Sequence, residues 1–77
     1  MIKHVEKARR LQKSFFDEIQ VYADEAYLYD NAVAAQAGVS TALYSMMKNG
    51  RKSMSLNSMI RIAAVFNRKV TLAYRQQ

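Results

Sequence analysis

The chain has 77 residues and a formal charge of +6, with no cysteine, no proline and a single histidine. A chain this short makes one small domain that buries only roughly 60% of its unfolded surface, so stability alone favours pairing with a second copy. His4 without any cysteine builds neither a disulfide framework nor a metal site, and no apolar run approaches the roughly 20 residues that cross a bilayer. The expectation is a cytoplasmic protein that uses no metal, cofactor or small-molecule substrate and does not engage a membrane.

Where the charge lies says more than its sum. All six acids, Glu6, Asp17, Glu18, Asp24, Glu25 and Asp30, fall in the first 30 residues, where five basic residues leave a charge of −1. The remainder carries seven cations (Lys48, Arg51, Lys52, Arg61, Arg68, Lys69 and Arg75) and no acid, a charge of +7. A half-chain of unopposed positive charge suits a polyanion, of which nucleic acid is the commonest; the plainer reading is a generically basic surface.

From Ile2 to Ala26 the apolar residues Ile2, Val5, Ala8, Leu11, Phe15, Ile19, Tyr22 and Ala26 recur every three or four positions, the period of a helix. The span holds no glycine, so it reads either as one long helix or as two that meet near Ser14 to Asp17. Lys3, Lys7, Arg9, Arg10 and Lys13 make a basic cluster on its first half, either a solvated face or a surface that reaches phosphate.

Asp30 or Asn31 can cap a second helix through Ala-Val-Ala-Ala-Gln-Ala, a run of mostly strong helix formers. Gly38 allows the left-handed backbone that ends it, Val39 can turn inward, and Ser40 or Thr41 can cap a third helix through Leu43, Tyr44 and Met47. Two short helices joined by a tight glycine turn are the pattern of a helix-turn-helix, whose second helix is the DNA-reading element. The turn Asn49-Gly50-Arg51-Lys52-Ser53 follows, with adjacent cations placed to track a DNA backbone.

Ser55 can cap a fourth helix with Leu56, Met59, Ile60, Ala63 and Phe66 on its apolar face and Ile62 and Val65 widening it, ending near Asn67. After that the period changes. Val70, Leu72 and Tyr74 alternate with Lys69, Thr71, Ala73 and Arg75, a strand pattern. A lone strand leaves its backbone groups without partners, and the same strand of a second copy is the simplest supplier, which would make residues 68–75 a dimerisation element; the plainer reading is a frayed tail.

Taken together these residues resemble the Cro/CI-type (XRE-like) helix-turn-helix family, without a gap from about Ile19 to Val70. Ile19, Tyr22 and Leu28 fall at apolar positions of the family's first helix, and Val33-Ala34 where it usually has Leu-Ala. Ala37-Gly38-Val39-Ser40 resembles its turn, Tyr44-Ser45 its usual Ile-Ser, Asn49-Gly50-Arg51-Lys52 its basic loop, and Ser55-Leu56 with Ile62-Ala63 its fourth helix. The resemblance implies an all-α, lambda-repressor-like bundle of four or five helices. Residues 1–17 would be an N-terminal helical extension without counterpart in the shared core, and the C-terminal strand would pair across a dimer. It further implies that Thr41, Ala42, Ser45 and Met46 face base edges in the major groove, while Ser40, Asn49, Arg51 and Lys52 hold phosphates.

This reading head lacks the Arg, Gln or Asn that make bidentate base contacts, so loop contacts, DNA shape and dimer spacing would contribute much of the discrimination. Three positions depart from the family. Asp30 stands where a phosphate-bonding Gln is common. Lys48 stands where an acid usually pairs with the first helix, so that pair is absent or reversed, with Asp24 or Glu25 as candidate acceptors. Met54 replaces a proline common after the loop, which leaves the loop less constrained.

The resemblance thus implies a homodimeric transcriptional repressor, bacterial or phage-encoded, that reads a palindromic operator in double-stranded DNA. The helix-then-strand ending is similar to the HipB-type antitoxins, which would add autoregulation and a toxin partner. The alternative is a protein-interaction module that uses the apolar stripe of the first helix, including Phe15 and Phe16, against a partner. Catalysis is not expected: Ser45, Ser53, Ser55 and Ser58 read as caps and helix-surface residues, Met46, Met47, Met54 and Met59 as packing, and no base is arranged with any serine.

Overall fold

The computed structural model describes residues 2–68 and 70, with side chains from Glu6 onward. The described residues form a compact all-α globule of four helices: α1 (Ile2–Glu25), α2 (Asp30–Ala37), α3 (Thr41–Lys48) and α4 (Leu56–Val65). α2 packs on both α3 and α4, and α1 lies against α3. Between the two readings of the N-terminal span, the structure has one uninterrupted helix of 24 residues. Among the described residues no helix is long and apolar enough to cross a membrane.

All four helices end the same way, in a Schellman motif about one left-handed residue. Gly38 has φ +78°, its N–H donates to Ala35 O, and the Val39 N–H donates to Ala34 O at 3.0 Å. Gly50, also at φ +78°, repeats this with Met47 O, and the following Arg51 N–H reaches Met46 O at 2.8 Å. The other two left-handed residues carry side chains: Tyr27 (φ +58°) closes α1 and Asn67 (φ +57°) closes α4. Asparagine adopts that backbone readily; tyrosine does so at a cost, and nothing in the sequence marks Tyr27 for it. At the opposite ends Ser40 and Ser55 cap α3 and α4, their hydroxyls accepting from the N–H groups of Leu43 and Ser58.

The core brings together Phe16, Ile19 and Ala23 of α1, Val33, Ala34 and Ala37 of α2, Tyr44 and Met47 of α3, and Ile62 and Ala63 of α4. Phe16 sits edge-on between Phe15 and Tyr44, with ring centroids 5.4 and 5.5 Å away. This corrects the expected register of α1. The inward line is Gln12, Phe16, Ile19, Ala23; Leu11 is 62% exposed, and Ala8 and Ala26 also face solvent. Two overlapping stripes share Ile19, and the one that turns Phe16 onto Tyr44 prevails. α4 is likewise narrower than expected: Ile62 and Ala63 are buried, whereas Leu56 and Ile60 are about half exposed.

No strand occurs among the described residues. Val70 is half-buried and in no regular element, while Leu72 and Tyr74 of the expected strand lie outside the described residues.

Candidate nucleic-acid interface

At about 100° per residue, Thr41, Ser45, Asn49, Ala42 and Met46 span one arc of about 140° along α3, and Leu43, Met47, Tyr44 and Lys48 span the opposite one. Burial follows that division. Tyr44 and Met47 are in the core and Leu43 packs against it, whereas Thr41, Ala42, Asn49 and Met46 are exposed and Ser45 is half-buried. The outward face therefore carries two hydroxyls, an amide, a methyl and a thioether, with no charge. Asn49 Nδ2 donates to Ser45 Oγ at 3.4 Å, which leaves its carbonyl oxygen directed to solvent partners. Ser40 remains exposed beside the start of the helix even though its oxygen accepts the capping bond.

The loop after α3 presents Arg51 and Lys52 to solvent, and its backbone is held from α1. Gln12 Nε2 donates to Met47 O at 2.7 Å and to Lys52 O at 2.9 Å, and its Oε1 accepts the Met54 N–H at 3.1 Å. One side-chain amide thus ties both ends of the basic loop to the long helix. A proline at position 54 could not donate the third of these bonds, so Gln12 supplies from α1 a restraint on the loop that the loop's own sequence does not show. Sequence reasoning missed Gln12, and the signal was its place on the line of Phe16, Ile19 and Ala23.

The two charged positions singled out in the sequence, Asp30 and Lys48, form one interaction. Lys48 Nζ lies 3.0 Å from Asp30 Oδ1 and also donates to Gln20 Oε1. The acceptors expected on sequence grounds, Asp24 and Glu25, are not used; Asp24 accepts from Gln20 Nε2 instead. Nor is Asp30 the cap of α2. Tyr29 holds the cap position with no side-chain hydrogen bond, and Asp30 is the first helical residue, where a carboxylate suits the positive helix end while reaching sideways to Lys48. The Asp30 charge also bears on Tyr44: burial first, and then this carboxylate, push the phenol up to about 12.

Between the first half of α1 and the loop lies an open groove of about 580 Å³, floored by Phe16 and Met47. Arg9 and Lys13 stand on its helix side and Arg51 and Lys52 on its loop side. Lys7 and Arg10, from the same sequence cluster, are exposed on other faces of α1. Comparison of the chain with family models, curated proteins and solved structures gives no match.

Proposed function

We propose that the chain is a sequence-specific DNA-binding repressor whose α2-turn-α3 unit is a helix-turn-helix of the Cro/CI type within a lambda-repressor-like bundle. The observation that carries this reading is the composition of the exposed α3 face. Thr41, Ala42, Ser45 and Met46 form an uncharged hydrogen-bonding and methyl-contacting surface, and the cations Arg51 and Lys52 follow directly past its end. That arrangement suits a duplex, since hydroxyls and methyl groups can contact base edges while cations at the edge of the face hold phosphates. Ser40 and Asn49 join the phosphate set.

The protein acts in the cytoplasm as a homodimer on a palindrome, with Val70, Leu72 and Tyr74 pairing across the two-fold axis. A chain ending at Asn67 that stays dimeric in sedimentation would remove that part of the proposal. In a HipB-type setting the repressor would also restrain a toxin. The interaction-module reading is the weaker of the two, because Phe16 is core and Phe15 packs against it, leaving neither free for a partner. Catalysis has no part in the proposal.

The test is a pair of substitutions on one bound duplex. Arg51→Ala should weaken binding to all sequences and lower the salt slope by about 1, whereas Thr41→Ala or Met46→Ala should change sequence preference at unchanged slope. Equal affinity of the unmodified chain for its preferred and scrambled duplexes contradicts the reading.

A further inference from the structure

The helix wall of the groove beside α3 has no task in the function so far proposed, and the groove's two walls are charged alike. Arg9 and Lys13 line one wall, Arg51 and Lys52 the other, and Asp17 is the one acid among its lining residues. Lys48, which also borders it, is taken up by Asp30 and Gln20. Asp17 is held by Lys13 in an ion pair that is well exposed at both ends, a weak contact that an incoming polyanion can displace. Like charges facing one another across a gap are unfavourable unless an anion lies between them. The two walls are also tied together, since Gln12, between Arg9 and Lys13 in sequence, bonds the loop backbone at Met47, Lys52 and Met54.

We propose that this groove seats the sugar-phosphate backbone of duplex DNA, with Arg9 and Lys13 of α1 and Arg51 and Lys52 of the loop gripping phosphates on either side. The inference rests on the DNA-binding reading and extends it to a helix segment that lies outside the family resemblance. A duplex is favoured over an acidic polypeptide because the loop wall continues directly from α3, so a backbone leaving the α3 face meets the groove next. α1 therefore acts as a second positioning surface, widening the footprint without reading bases.

The test uses the full chain, the double variant Arg9→Gln/Lys13→Gln, and a charge-matched control, Lys7→Gln/Arg10→Gln, whose residues lie off the groove. Affinity for a duplex recovered by selection and for a random-sequence duplex of the same length is measured across a salt series. Circular dichroism checks that the helix is intact, as glutamine is a good helix former at these exposed positions. The groove variant should lose about 2 from the salt slope on both duplexes, and the control less than half of that. An unchanged slope in the groove variant, or equal losses in both variants, overturns the proposal while leaving the DNA reading intact. So does tighter binding of polyglutamate than of either duplex by the unmodified chain, abolished in the groove variant. Failure of the unmodified chain to bind any duplex instead defeats the DNA reading itself.

Discussion

Lys48 of α3 and Asp30 of α2 form an ion pair 3.0 Å long with side chains 29% and 42% exposed, and Gln20 of α1 accepts from the same ammonium. Three helices therefore meet at one cation beside the exposed face of α3. Lys48→Glu alone should destabilise the fold by about 1 kcal/mol by placing two carboxylates together, and adding Asp30→Lys should recover most of the loss. Thermal melts of the singles and the double give the coupling; strict additivity would show that the pair does not act.

Tyr44 adds a pH dependence. Its phenol, raised from 10.0 to about 12 chiefly by burial, is favoured neutral in the fold, so its contribution is complete below pH 10 and is lost as pH climbs to about 12. A shift of that size corresponds to about 2–3 kcal/mol by linkage. Melting curves of the unmodified chain and of Tyr44→Phe across that window should diverge, the unmodified chain falling faster. Parallel curves would mean that Tyr44 ionises without consequence.

Much of the local structure is legible in the sequence because it is set by neighbours within a few residues. Gly38, Ser40 and Ser55 announce their turn and caps directly. The register of α1 is not legible, because Leu11-Phe15-Ile19-Tyr22 and Phe16-Ile19-Ala23 are both valid helical stripes and only contact with Tyr44 decides between them. Asp30 misleads for a related reason: its side chain is a good cap in isolation, yet a lysine 18 residues away supplies a better partner. Gln12 was legible as a position on the Phe16-Ile19-Ala23 stripe of α1 but not as a clamp, since its partners are three backbone groups that lie at least 35 residues on.

Removing the clamp should loosen the loop more than the fold. Gln12→Ala gives up three hydrogen bonds and should cost about 1–3 kcal/mol, with the Met54 amide exchanging faster than amides in the centre of α4. An unchanged Met54 exchange rate would show that the loop holds its own shape.

The left-handed residues give a matched pair of backbone predictions. Gly38→Ala should destabilise by about 1–2 kcal/mol through φ strain alone, because the added Cβ would meet only the Arg61 side chain, at 3.9 Å. Tyr27, 92% exposed at φ +58°, should behave in the opposite sense, Tyr27→Asn gaining a fraction of a kcal/mol. Chemical denaturation of both variants measures the difference, and a neutral Gly38→Ala would contradict the assigned turn.

The central claim is that the α3 face reads DNA as part of a symmetric dimer. Its most direct measurement is selection of bound fragments from random duplexes at one stated salt concentration. The account predicts an enriched motif with dyad symmetry and half-site centres roughly one helical turn, about 34 Å, apart. Recovery of fragments with no common sequence, bound as tightly as scrambled DNA, would contradict it.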